Sequence, residues 1–114
     1  MRFVFGILAA LAIALPAAAH HGWGSYDADN PMTIEGAIKT LKLENPHGEM
    51  TVEHEGADWL ITVAPLSRMN TRGATADVVK AGEMVIAYGY PKRDGTKEIR
   101  AEWIELGGQR YQLR

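Results

Sequence analysis

The chain has 114 residues, 12 Lys and Arg against 14 Asp and Glu, a formal charge of −2 and no cysteine. A chain without cysteine has no disulfide framework, thiolate zinc site, iron–sulfur cluster or thiol nucleophile, so any metal must be held by nitrogen or oxygen. The basic residues Lys39, Lys42, Arg68, Arg72, Lys92, Arg93, Lys97 and Arg100 are interleaved with acids rather than gathered into one stretch, which argues against nucleic acid as a partner.

In chain order, the first element is a leader. Arg2 precedes an uncharged run over residues 3–15, followed by Pro16, Ala17, Ala18 and Ala19. Charged, apolar and small, in that order, is the pattern of a cleavable secretory signal. The apolar run is too short for a stable membrane span, which needs about 20 residues. Small side chains at Ala17 and Ala19 favour cleavage before His20, leaving a periplasmic or secreted domain of about 95 residues, one domain by size. Residues 1–19 are thus expected to be the signal peptide, 20–31 an extended arm and 32–114 the folded domain.

The arm mixes glycine, Asp27, Asp29, Asn30 and Pro31 with Trp23 and Tyr26 and shows neither helical nor strand period. From Met32 the chain reads as a strand with Ile34, Gly36 and Ile38 in one phase and Leu41 and Leu43 in the other. A change of face in mid-strand implies a bulge or bend, and Gly36 suits a sharp coil there. Glu44-Asn45-Pro46-His47-Gly48 is turn chemistry. Met50 and Val52, the Glu55-Gly56 turn, then Trp59, Ile61 and Val63 make a hairpin. After Pro65, the three-residue spacing of Leu66 and Met69 and the stop at Gly73 predict a short helix. Residues 83–90 and 97–106 are the next strands, joined by Lys92-Arg93-Asp94-Gly95. Gly107-Gly108 then turns the chain into a tail carrying Tyr111 and Leu113. Three strands, a short helix and two strands predict a mostly β fold, a small five-stranded Greek-key barrel of the oligonucleotide/oligosaccharide-binding (OB) type, with a small sandwich as the alternative. Ile34, Ile38, Leu41, Leu43, Val52, Trp59, Ile61, Val85, Ile99, Ala101 and Trp103 are expected inside.

His20-His21-Gly22-Trp23, Tyr26-Asp27, Gly36, Asn45-Pro46-His47, Trp59, Lys80-Ala81-Gly82-Glu83, Gly89-Tyr90-Pro91 and Asp94-Gly95 together resemble an uncharacterised family of exported bacterial proteins, domain of unknown function 6152. The resemblance spans essentially the whole mature chain. It departs from the family pattern at Gly22, where the family carries serine. What it implies is export and a compact β domain, with no mechanism attached.

All four histidines, His20, His21, His47 and His54, lie in the first half of the mature chain. After cleavage before His20, the new α-amine and the His20 imidazole could chelate one metal, with His21 or His47 adding a third nitrogen. Copper(II) is the metal such a set prefers, and each ligand must shed its proton to bind. Cleavage one residue earlier would make His21 the third residue, giving a square-planar site for copper or nickel. Against this stand a merely polar N-terminus and a turn histidine at position 47; His54, between two glutamates, reads as solvated. Trp23, Trp59, Tyr88 and Tyr90 could instead form a ligand-stacking face, although aromatics of this kind also serve as core and rim. Ser25 and Ser67 lack a nucleophile-elbow setting, and no acid–base pair stands out, so enzymatic activity has no support. Asp27 and Asp29 lack the remainder of a calcium loop. Two function classes follow: a copper-binding or copper-handling protein, and a metal-free binding module for a small molecule, glycan or periplasmic protein partner.

Overall fold

A computed structural model describes residues 23–114. The signal-peptide reading, His20 and His21 lie outside the described residues. Six strands and one short helix make up the domain: β1 (Met32–Lys42), β2 (Glu49–His54), β3 (Ala57–Thr62), α1 (Leu66–Thr71), β4 (Met84–Pro91), β5 (Glu98–Leu106) and β6 (Gln109–Gln112). Among these described residues no helix is long and apolar enough to cross a membrane.

The barrel closes because β1 is long enough to serve two neighbours. Its first half, from Met32 to Ala37, pairs antiparallel with β4, and its second half, from Ile38 onward, pairs with β2. The register slips between Ile38 and Thr40, the bulge that the change of apolar phase requires. Gly36 permits the coil: a Cβ there would stand 2.7 Å from Val52 Cγ1 and 3.1 Å from the Glu53 carbonyl oxygen. The β2–β3 hairpin turns at Glu55 and Gly56, with φ of 50° and 77°. Positive φ at both positions matches the right-handed twist of the flanking strands. Closure comes from β3 running parallel to β5 over Leu60↔Glu98, Ile61↔Ile99 and Thr62↔Arg100. The five strands follow one another round as β1-β2-β3-β5-β4, a closed OB-type barrel with α1 between β3 and β4. The tail forms a sixth strand, β6, which extends the sheet beside the second half of β5.

Inside are Ile34, Ile38, Val52, Ile61, Val85, Ile99 and Ala101, as the strand periodicity demands, joined by Met50, Ala87, Ile104, Leu106 and, from α1, Met69. Four expected core residues are only half-buried. Leu41 and Leu43 lie beyond the point where β4 leaves β1, so a strand covers them on one side only. Trp59 precedes the first β3–β5 pair, at Leu60, and packs against the core from the barrel's open end. Trp103 faces outward because β5 has its own bulge: Gly89 pairs with Ala101 but Tyr88 pairs with Trp103, leaving Glu102 as the extra residue. One added residue reverses every side chain after it, so Ile104 takes the inner position.

Candidate functional site

A cavity of about 490 Å³ lies where the arm crosses the barrel surface. Its floor follows from the barrel closure. Since Ile61 and Ile99 point inward, their neighbours Thr62 and Arg100, paired across β3 and β5, point outward together. Tyr26 of the arm forms one wall, Pro46 and His47 of the β1–β2 turn a second, and Pro65 and Arg68 at the start of α1 a third.

The arm is held there by backbone pairing. Trp23–Ser25 make one 3-10 turn, Tyr26 bridges Lys92, the Asp27 N–H donates to the Pro91 carbonyl at 2.8 Å and the Arg93 N–H donates to the Ser25 carbonyl at 3.0 Å. Tyr26 is consequently buried, and its hydroxyl donates to Glu98 Oε2. Burial and then that carboxylate both oppose ionisation, pushing the phenol far above its ordinary value. The Thr62 hydroxyl donates to the same Glu98 oxygen at 3.4 Å. The β1–β2 turn is tied down in turn: the Leu66 N–H donates to Asn45 Oδ1 at 3.1 Å, and Gly48 exchanges backbone hydrogen bonds with Val63 and Ala64 at 3.0 Å. His47 therefore sits on an anchored loop. Among the described residues its Nδ1 is buried with no hydrogen-bond partner, and the Glu49 carboxylate oxygen Oε1 is 4.0 Å away.

Two of the lining side chains, Arg68 and Arg100, are basic. Burial is the main cause that lowers the Arg100 pKa, and the like charges of Arg114 and Arg68 add to it, against Tyr26 and Glu98. Arg68, on the exposed side of α1, makes no side-chain hydrogen bond or ion pair among the described residues.

Beside the cavity runs an aromatic file. Tyr88 and Trp103 stack at 5.4 Å with planes 9° apart, Tyr90 meets Tyr88 at 6.2 Å, and Trp23 meets Tyr90 at 5.9 Å and Tyr26 at 6.3 Å. Guanidinium groups already lie over these rings: Arg110 at 3.6 Å from the Trp103 centroid, and Arg100 and Arg114 at 4.0 and 4.3 Å from that of Trp23. Glu102, turned outward by the β5 bulge, accepts from the Tyr90 hydroxyl at 2.6 Å and from Arg114 at 2.9 Å. The file thus locks the arm and Arg100 in place through cation–π and hydrogen-bond contacts.

Trp23, Tyr88 and Tyr90 are brought together. Trp59 is not among them; it meets His54 edge-on at 5.9 Å near the β2–β3 hairpin. His47 lines the cavity, whereas His20 and His21 fall outside the described residues. Among the described residues no three His, Asp or Glu side chains cluster to hold a metal. Asp27 serves as a turn acceptor for Asn30 Nδ2 at 2.8 Å and the Asp29 N–H at 3.1 Å. Sequence reasoning passed over Thr62, Arg68 and Arg100. The one available signal was that Thr62 and Arg100 alternate with core positions and so face outward.

A family model described as a family of unknown function (DUF6152) matches residues 8–100. No curated protein matches the sequence. Among solved structures, the chain is similar to the S. pombe Stn1-ten1 complex, with a TM-score of 0.54 and 17% identity, covering 67% of this chain and 57% of that one. It is also similar to the tRNAIle2 agmatidine synthetase TiaS: the apo form gives a TM-score of 0.51 at 15% identity over 68% of this chain and 18% of that one. A ZRD-deleted TiaS in complex with agmatine gives 0.52 at 14% over 74% and 26%. The chain spans little more than half the length of the first and about a quarter or less of the others. At such identities the likeness speaks for the barrel fold alone.

Proposed function

The chain belongs to the family of unknown function DUF6152, and from that membership and the arm–barrel cavity we propose that it is an exported binding module for a small ligand. The observation that carries this reading is the cavity itself. Apolar walls from Pro46, Pro65 and the Tyr26 ring surround a few polar side chains, Thr62, Arg68, Arg100 and His47, the composition and size typical of small-molecule sites. Export is supported by the basic, apolar, small order of residues 1–19. Intact mass of periplasmic material should show a chain beginning at His20, and recovery of the uncleaved chain in membranes would overturn the export.

The binding reading is tested by NMR titration of the nitrogen-labelled mature protein with a mixed set of organic acids, amines and neutral sugars. At least one should shift the amide signals of Tyr26, His47, Thr62 and Arg100 together. Shifts confined to the surroundings of Trp59, or none from any compound, would refute the site.

A second reading is copper(II) held by the His20 amine and imidazole with one or both of His21 and His47. Its support is the buried Nδ1 of His47, which has no hydrogen-bond partner among the described residues. Against it, Arg68 and Arg100 line the same cavity, and fixed positive charge opposes a divalent cation. Copper titration of the native-start protein, an N-terminally tagged form and His47→Ala decides: this site requires tight binding by the first and weaker binding by the other two.

A further inference from the structure

Resting on the cavity reading above, we propose that the ligand is an organic oxyanion, its carboxylate or phosphate group held between Arg68 and Arg100 and its ring-sized apolar body against Pro46 and Pro65. Three observations carry the assignment.

The first is the balance of charge. The carboxylates around the cavity have tasks of their own: Glu98 accepts from Tyr26 and Thr62, Glu102 from Tyr90 and Arg114, and Asp27 from Asn30 and the Asp29 N–H, with Arg93 at 3.9 Å. Arg68 and Arg100 repel each other, an effect the Glu98 carboxylate offsets in part at Arg100, while Arg114, over the same Trp23 ring as Arg100, is paired with Glu102. A chain of net charge −2 therefore sets two like-charged guanidinium groups, Arg68 and Arg100, in the lining of this cavity. An anion placed between them relieves that repulsion.

The second is geometry. Guanidinium forks match carboxylate and phosphate oxygens in a planar, bidentate way that no neutral acceptor reproduces. Arg100 is half-buried and positioned by the Trp23 ring, so it is oriented before a ligand arrives; preorganisation of this kind favours binding. Arg68 stands at the solvent side with its donors uncommitted among the described residues, where it can close over a bound group.

The third is size. A cavity of about 490 Å³ is far larger than a phosphate or carboxylate group. The remaining space is bounded by two proline rings and the buried Tyr26, surfaces that suit a flat apolar body and leave a bare ion poorly packed.

The experiment uses one ring with four head groups: benzoate, phenyl phosphate, the neutral benzamide and the cationic benzamidine, with inorganic phosphate as the bodiless ion. Affinities are read by NMR from the amide signals of Tyr26, Thr62 and Arg100. Benzoate or phenyl phosphate should bind at least about tenfold more tightly than benzamide or benzamidine, and phenyl phosphate more tightly than inorganic phosphate. Arg68→Gln, an exposed change that leaves the barrel intact, should weaken the anions about tenfold or more, in line with the loss of a charged hydrogen bond. Arg100→Lys should weaken them while keeping the charge, and Arg110→Gln, on the far ring of the aromatic file, should leave them unchanged. If benzamide or benzamidine perturbs the cavity as strongly as the anions, the oxyanion falls and the cavity stands. Equal binding of inorganic phosphate and phenyl phosphate removes the apolar body from the proposal. If none of the five perturbs the cavity, the oxyanion is wrong, and the broader compound set then decides whether the cavity reading falls with it.

Discussion

Replacing Gly89 with alanine should damage this barrel more than any other single methyl group added to a glycine. At Gly89 strand β4 lies against the β5 bulge, and a Cβ there would stand 2.2 Å from the Arg100 carbonyl oxygen, 2.8 Å from its carbon and 2.9 Å from Ala101 Cα. Carbon atoms in ordinary contact sit roughly 3.5–4.0 Å apart, so the two strands must separate by about 1 Å. All three obstacles are backbone, which no rotamer change can move. Overpacking of this kind costs about 1–3 kcal/mol. Opening the β4–β5 ladder forfeits one or two hydrogen bonds at about 1 kcal/mol each, so a loss of about 3 kcal/mol or more is expected. For a domain of this size that lowers the melting midpoint by roughly 12–24 °C. Gly24→Ala is the control, because among the described residues, its chain neighbours aside, nothing lies within 4 Å of its added Cβ; it should stay within about 0.5 kcal/mol of the parent. Thermal and urea denaturation of the two variants, followed by tryptophan fluorescence, measure both numbers. A Gly89→Ala protein as stable as the Gly24→Ala control would show that β4 and β5 do not approach in this way, and the outward placement of Trp103 and Glu102 would fall with it.

Ile61→Ala, at a fully buried position in β3, should cost about 2–5 kcal/mol through lost burial and a residual cavity; a change under about 1 kcal/mol in urea titrations would put the β3 register in error. Trp23→Ala removes the ring beneath Arg100 and Arg114, so the arm should be cut faster by limited proteolysis while the barrel stays folded; unchanged cleavage kinetics would show that the ring does not hold the arm. Acid should loosen the same contacts. The hydrogen bond from Tyr90, and then Arg114, hold the Glu102 carboxyl below its usual value near 4.5, and the Asn30 hydrogen bond chiefly lowers Asp27. A depressed folded-state pKa gives stability that is present above the unfolded value and is lost as pH falls through the folded one. Melting midpoints should therefore drop below about pH 4.5, with a shallower drop in Glu102→Gln; identical pH profiles for the two proteins would remove Glu102 from that account.

Much of the fold was legible because strand pairing leaves a local trace. The change of apolar phase between Ile38 and Leu41 marks the β1 bulge, and Glu55-Gly56 marks a two-residue hairpin turn. Pro65 with Leu66 and Met69 marks the single helix. The closed OB-type barrel agrees with the expectation drawn from those patterns, and the family match agrees with the resemblance carried by motifs such as Asn45-Pro46-His47 and Gly89-Tyr90-Pro91. The second bulge left no such trace. Trp103 continues the alternation of Ile99 and Ala101, and only the pairing of Gly89 with Ala101 and Tyr88 with Trp103 reveals Glu102 as the extra residue.

The candidate site divides in the same way. Sequence alone marked His47 as a turn residue and Trp23, Tyr88 and Tyr90 as candidate face aromatics, since residue type and alternation are properties of a few neighbouring positions. It had no means of joining Tyr26 to Arg68 and Arg100, because the cavity they line depends on contacts between distant segments: the parallel β3–β5 pairing, the Tyr26–Lys92 bridge and the Asn45 tether to Leu66. Local chemistry dictated which strands form and which faces they present. The long-range closure of the barrel, stabilised by burial of residues far apart in the chain, decided which side chains share a cavity and what charge that cavity holds.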